Sequence, residues 1–300
     1  MIIESNIKSL KEEKVNLKDE TVESSNVYLP KLYMCSMFIG SKGSGKTWSL
    51  VSLLKHYERS AILDKKGRKH TMRTILFCPT GNSDFNKIYT TLESLDQEND
   101  VILDYSDDKL LDKLHEIEEE KKFIEEYKEY VTVWKKYMKI DEDMSLLTHD
   151  ELLILSKFDF TDPENMKKPE YKHPRINFLI FDDLVGDAHA FKKSHSALNN
   201  LCIKHRHLQC NLIFTTQYIK AIPPVIRRNL DIFIIFKFAN VKSVTEQIYP
   251  EISGIIKEEE FELLFDYATE NKHNALIIDQ TSKQNIFKLN WDVALKINNM

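Results

Sequence analysis

The chain has 300 residues, enough for one sizeable α/β domain with a full core. Its net charge of −5 provides no global basic field, so any contact with nucleic acid would rest on a local patch. No apolar run approaches the ~20 residues that cross a bilayer, and Met1-Ile2-Ile3-Glu4-Ser5 lacks signal-peptide anatomy, which predicts a protein that neither spans a membrane nor is secreted.

Residues 1–28 are polar and charged, with Lys11-Glu12-Glu13-Lys14 and Glu23-Ser24-Ser25-Asn26, and read as a flexible N-terminal arm before a single domain at 29–300. Tyr33 to Ile39 forms an apolar run of strand length. Directly after it, Gly40-Ser41-Lys42-Gly43-Ser44-Gly45-Lys46-Thr47 matches G-x-x-x-x-G-K-[ST] and uses three of the chain's seven glycines. Glycines let backbone N–H groups approach phosphate oxygens at the start of a helix. Lys46 would reach the β/γ-phosphates of ATP and Thr47 would hold Mg²⁺, while Lys42 is either plain surface or an extra phosphate contact. A helix from Thr47 to Tyr57 follows, with Trp48, Leu50, Val51, Leu53 and Leu54 as its apolar face.

Thr74 to Cys78 reads as a second strand that stops at Pro79-Thr80-Gly81-Asn82, and Val101–Asp104 as a short third. The stretch Asp107 to Lys139 has neither Gly nor Pro and predicts one long helix. Leu110, Ile117, Ile124, Val131 and Met138 recur every seven residues, with Tyr127 and Trp134 beside them. Such a helix either packs on its own domain or contacts another subunit, and 107–174 as a whole reads as a helical insertion. Ile176–Phe181 is a strand, Ala188–Arg206 a helix, Cys210–Thr216 a strand, Pro223–Asn229 a short helix and Ile232–Phe236 a strand. Helices near Val241–Tyr249 and Lys257–Ala268 precede a C-terminal hairpin of Ala275–Asp279 and Ile286–Leu289, within a hairpin and tail at 270–300. This alternation after a phosphate loop implies an α/β fold with a mostly parallel sheet flanked by helices.

Asp182 and Asp183 end an apolar strand, the place for an acid facing the phosphate loop across the sheet edge. Asp182 is the candidate Mg²⁺ ligand and Asp183 the candidate that polarises an attacking water; an acidic strand-end turn is the plainer alternative. Gln217, at the tip of the next strand, is a candidate γ-phosphate sensor or a turn residue. Arg206, Arg227 and Arg228 are candidates for the charge that stabilises phosphoryl transfer, although cations at helix C-termini also simply complement the dipole. Cys202-x-x-His205-x-His207-x-x-Cys210 has no common zinc spacing, and the four cysteines, Cys35, Cys78, Cys202 and Cys210, suit reduced core thiols.

Taken in order, Gly40–Thr47, Phe77-Cys78-Pro79-Thr80, Phe181-Asp182-Asp183, Arg206-His207, Ile213 to Gln217 and Pro223-Pro224-x-x-Arg227-Arg228-Asn229 resemble the genome-packaging ATPases of poxviruses and nucleocytoplasmic large DNA viruses. These belong to the FtsK/HerA superfamily of ring translocases, and the resemblance covers about residues 30–240. It implies a RecA-like P-loop NTPase core, pentameric or hexameric homo-oligomeric rings, and ATP hydrolysis that drives double-stranded DNA into a capsid. Capsid vertex or portal proteins would be partners, and the host cytoplasm at viral assembly sites, or the virion, the location. An arginine from one subunit would act at the next subunit's γ-phosphate, matched here by Arg206 or the Arg227/Arg228 pair. DNA contacts would have to come from local positives such as Lys192-Lys193 or Lys204-His205, which are equally read as solvated surface. The other readings are a nucleotide or small-molecule kinase and a nucleotide-gated assembly protein without turnover. The 107–139 helix has no counterpart in the resemblance.

Overall fold

The computed structural model describes residues 29–60, 62–63, 69–78, 87–184, 196–238, 241–282 and 286–297. The expected arm at 1–28, Pro79-Thr80, most of the segment after Asp183 with Lys192-Lys193, and the tip of the C-terminal hairpin lie outside them.

In chain order the strands are β1 (Cys35–Ile39), β2 (Ile62–Leu63), β3 (Lys69–His70), β4 (Met72–Phe77), β5 (Val101–Ile102), β6 (Ile176–Asp182), β7 (Cys210–Thr216), β8 (Ile232–Phe236), β9 (Ala275–Asp279), β10 (Phe287–Leu289) and β11 (Val293–Leu295). The helices are α1 (Lys46–Arg59), α2 (Asp107–Lys139), α3 (His149–Ser156), α4 (Ala197–Lys204), α5 (Pro224–Arg227), α6 (Val241–Ile252) and α7 (Glu258–Ala268). Among the described residues one nine-stranded sheet runs β11-β10-β9-β8-β1-β7-β6-β4-β5. The strands from β8 to β5 are parallel, and β9, β10 and β11 extend the sheet antiparallel. β11 and the small β2–β3 hairpin were not expected from sequence, being too short to show a period.

Alternation explains the layers. On β1, Cys35, Met37 and Ile39 enter one apolar cluster while Met34 and Phe38 enter the other, as a strand buried on both faces requires. α1 covers the second face with Leu50, Val51, Leu53, Leu54 and Tyr57; α4, α6, α7 and the start of α2 cover the first. Trp48 departs from the predicted apolar face, because it is 71% exposed. Phe77, Phe181 and Phe214 stack across β4, β6 and β7 with centroids 5.1 and 5.0 Å apart, pinning neighbouring strand ends together.

α2 spans the predicted residues, with Ser106 as a side-chain N-cap. Its heptad stripe holds only through Ile124. Beyond it the buried residues are Tyr130, Val133 and Tyr137, and Met138 is exposed. At 100° per residue this second set faces roughly opposite to Leu110 and Ile117. The first half therefore packs on the main core, and the second half gathers a separate small cluster with Leu147 and Leu155. α3, inside the predicted helical insertion, starts with a Thr148/Glu151 capping box.

Candidate nucleotide-binding site

β1 lies between β7 and β8, so the chain leaves it in one direction and returns on both sides, and the crevice above its C-terminal end is where ligands bind in open α/β sheets. Residues 40–45 fill that crevice. Gly45 caps α1 at φ 105° and Gly43 sits at φ 74°, both in the left-handed region that favours glycine. Gly40 is small for a different reason: a Cβ there would meet the Ser44 Oγ at 2.6 Å and the Phe236 Cβ at 2.7 Å. The first turn of α1 holds no acidic residue, and no side chain caps its N–H groups, leaving the positive end of the helix for an anion. The Ser44 Oγ is buried with no hydrogen-bond partner among the described residues. The Lys46 ammonium donates to the carbonyls of Gly40 at 2.7 Å and Ser41 at 3.0 Å, so it lies across the loop. Burial lowers its pKa, and Asp183 and Asp182 oppose that shift.

The acids stand beside this loop by register. Ile39 pairs with Thr216 and Thr215 with Asp182, so three parallel strands end level with one another. Lys46, Thr47, Asp182, Asp183, Thr215 and Gln217 line one cavity of about 530 Å³. Asp182 is buried, and burial raises its pKa despite the hydroxyls that donate to it, Thr215 Oγ1 at 2.5 Å and Tyr89 at 2.8 Å. The Thr47 side chain lies near enough to oppose the rise that burial gives the Tyr89 pKa. Tyr89 thus stands beside both predicted metal-binding residues, a position with no sequence signal, since a lone tyrosine carries none. The donor set of Thr47 and Asp182 is oxygen only, and a desolvated carboxylate is short of positive charge, so the residues fit Mg²⁺.

Asp183 adopts φ 52°, a left-handed conformation uncommon for a side-chain-bearing residue. Its N–H donates to Thr215 Oγ1 at 3.0 Å, and Gln217 Nε2 approaches its Oδ2 at 3.4 Å. The carboxylate on this left-handed backbone faces the exposed glutamine. The result is an α/β fold with the glycine-rich loop at its central crevice.

No family model matches the chain. Over 149 residues it is 29% identical to Uncharacterized protein 075L of Invertebrate iridescent virus 6, an alignment covering 47% of this chain and 53% of that protein, so the match spans about half of each. Among solved structures, the genome packaging NTPase B204 from Sulfolobus turreted icosahedral virus 2 in complex with ATP-gammaS is similar at 15% identity and TM-score 0.43, covering 86% of this chain and 97% of that one. EssC (ATPases 2 and 3) from Geobacillus thermodenitrificans is similar at 16% identity and TM-score 0.44, covering 88% of this chain and 40% of that one. Likenesses this distant do not transfer chemistry.

The predicted arginines stand apart from this cavity. Arg206, exposed after α4, donates to Asp231 at 2.5 Å, ahead of the N-terminal end of β8. The parallel strands place that end of the sheet opposite the phosphate loop, about 20 Å away along a strand of this length. Arg227 pairs with Glu251 and donates to the Ile222 carbonyl at 3.0 Å. Arg228 is exposed and makes no ion pair among the described residues. The His205 expectation is corrected: it is buried, with its ring nitrogens 2.9 Å from the Cys202 carbonyl and 3.1 Å from that of Tyr33, so it cannot touch DNA. Cys202 and Cys210 are likewise buried, on a helix and a strand.

Proposed function

We propose that the chain is an ATP-hydrolysing motor that moves double-stranded DNA, packaging a viral genome into a capsid at assembly sites in the host cytoplasm. The observation that carries this reading is the convergence of the phosphate loop, Asp182, Asp183 and Gln217 from level strand ends into one cavity. The loop N–H groups and Lys46 hold the β- and γ-phosphates. Thr47 and Asp182 would hold Mg²⁺, which would neutralise negative charge on the phosphates. Asp183 orients and polarises the attacking water, and Gln217, within reach of its carboxylate, senses the γ-phosphate.

Among the described residues no arginine lines this cavity, and the three candidates lie elsewhere. A neighbouring subunit of a homo-oligomeric ring supplies the missing charge, and Arg228, exposed and outside any described ion pair, is best suited to do so. Capsid vertex or portal proteins would seat the ring. Phosphate release measured with and without duplex DNA tests the proposal: stimulation that disappears in Lys46→Ala and Asp182→Ala supports it. Transfer of phosphate to a nucleotide or small-molecule acceptor without any DNA dependence supports a kinase instead.

A further inference from the structure

The chain carries a net charge of −5, yet one groove on it is positive. This groove, of about 450 Å³, runs between the outer side of α1 and residues 87–91. Lys55 and Arg59 line it from α1 and Lys87 from the other wall, with the exposed Trp48 and Ile88 as its apolar parts. On α1, positions 48, 52, 55, 56 and 59 are three and four apart, so they form one stripe. Neither Lys55 nor Arg59 makes an ion pair among the described residues.

α7 has the opposite character. It buries Phe261, Leu264, Phe265 and Ala268, while its outer side carries Glu259, Glu262, Leu263, Asp266 and Tyr267, again three and four apart. Leu263 is 64% exposed and Tyr267 61%, so two large apolar side chains stand in water among acids. Glu259 and Asp266 make no ion pair among the described residues.

The two surfaces cannot meet within one molecule. α1 packs on one face of the sheet and α7 on the other, with their buried residues in separate apolar clusters. A contact between them therefore joins two copies through two different surfaces, and each copy keeps one surface free for a further neighbour. Such head-to-tail contacts propagate, and they close into a ring when the rotation between copies allows it.

We propose that the outer side of α7 in one copy docks in the α1 groove of the next, its acids against Lys55, Arg59 and Lys87, and Leu263 and Tyr267 against Trp48 and Ile88. The proposal rests on the homo-oligomeric reading above and names the surfaces that carry it. Opposite charges steer the encounter and fix its register, and the apolar side chains supply area removed from water. Ile226 of α5, two residues before Arg228, lies in the same apolar cluster as the buried side of α7, so the docking neighbour approaches with the layer that holds this arginine.

Sedimentation of the full chain with magnesium and a non-hydrolysable ATP analogue tests it in wild type, Lys55→Glu/Arg59→Glu, Glu259→Lys/Asp266→Lys and the chain with all four changes. Glu262 is left alone because it accepts from Thr245 Oγ1 at 3.0 Å. Wild type should form multimers that dissociate as salt rises from about 0.1 M to about 1 M, where the Debye length falls from about 10 Å to about 3 Å. Each reversed pair alone sets like charges against each other and should weaken association by about a hundredfold or more. An equal mixture of the two variants brings opposite charges together at every contact, as does the chain with all four changes. Both should recover multimers, and that recovery also shows that the variants fold. Multimers that survive either reversed pair, or a loss that neither the mixture nor the fourfold change restores, overturn this contact and leave the homo-oligomeric reading standing. A wild type that stays monomeric at every concentration overturns both.

Discussion

At Asp182 burial and charge pull in opposite directions, and the conflict makes the residue informative. The folded chain holds the proton of this carboxyl to a higher pH than the unfolded chain, because burial raises its pKa above 3.8. Its contribution to stability therefore falls as pH rises from 3.8 through the raised value, and no penalty remains below that interval. Asp182→Asn should melt higher than wild type near neutral pH without nucleotide or Mg²⁺, with the gain vanishing as pH falls into the acid range, while ATP hydrolysis is lost; thermal melts across pH check this. Tyr89→Phe removes one of the two hydroxyls that donate to Asp182. The Mg²⁺ concentration at half-maximal turnover should rise by about tenfold or more, with little change in fold. The shared position of the loop residues, Asp182, Asp183 and Gln217 was legible because spacing and strand ends bring them to one cavity. Tyr89 was not, since only the folded chain brings it 2.8 Å from Asp182 across 93 positions of sequence.

The strands announce themselves as apolar runs, and each predicted run of five or more residues is a strand of the sheet. Helix faces were harder to read. The heptad in α2 predicted one continuous stripe, yet the tertiary environment divides the helix into two oppositely facing halves. Period alone cannot show what each half will meet. In the second half Tyr130 is fully buried, donates to the Thr161 carbonyl at 2.6 Å and lies 4.7 Å from the Phe158 ring. Tyr130→Ala should remove about 3–5 kcal/mol from this satellite cluster. Hydrogen exchange should quicken in 130–166 and stay slow in β1, β6 and β7, and ATP turnover should be retained. Trp48 failed to follow its helix face for the opposite reason: the pattern gave it a core position, whereas the start of α1 opens onto two cavities.

For the whole molecule, sheet order does most to connect sequence with function. β7 lies between β1 and β6, so Gln217 and Asp183 reach the same cavity as Lys46, whereas the connections that carry Arg206, Arg227 and Arg228 lie outside it. Arg206 and Arg227 already have carboxylate partners, and removing Arg206 would also leave the partly buried Asp231 short of charge compensation. Arg228 is the cleaner probe. The sequence could name these arginines but not choose among them, because only folding shows which have partners.

The most direct test mixes two inactive variants. Lys46→Ala cannot hold the γ-phosphate but keeps Arg228, and Arg228→Ala keeps its phosphate loop. Phosphate release is measured on long duplex DNA for each variant alone and for mixtures of the two. Each alone should turn over ATP at roughly a thousandth of the wild-type rate, and the mixture should recover at least about tenfold, because some sites then pair an intact loop with an intact arginine. A mixture as inactive as its components, or an Arg228→Ala protein as fast as wild type, would contradict a site shared between subunits.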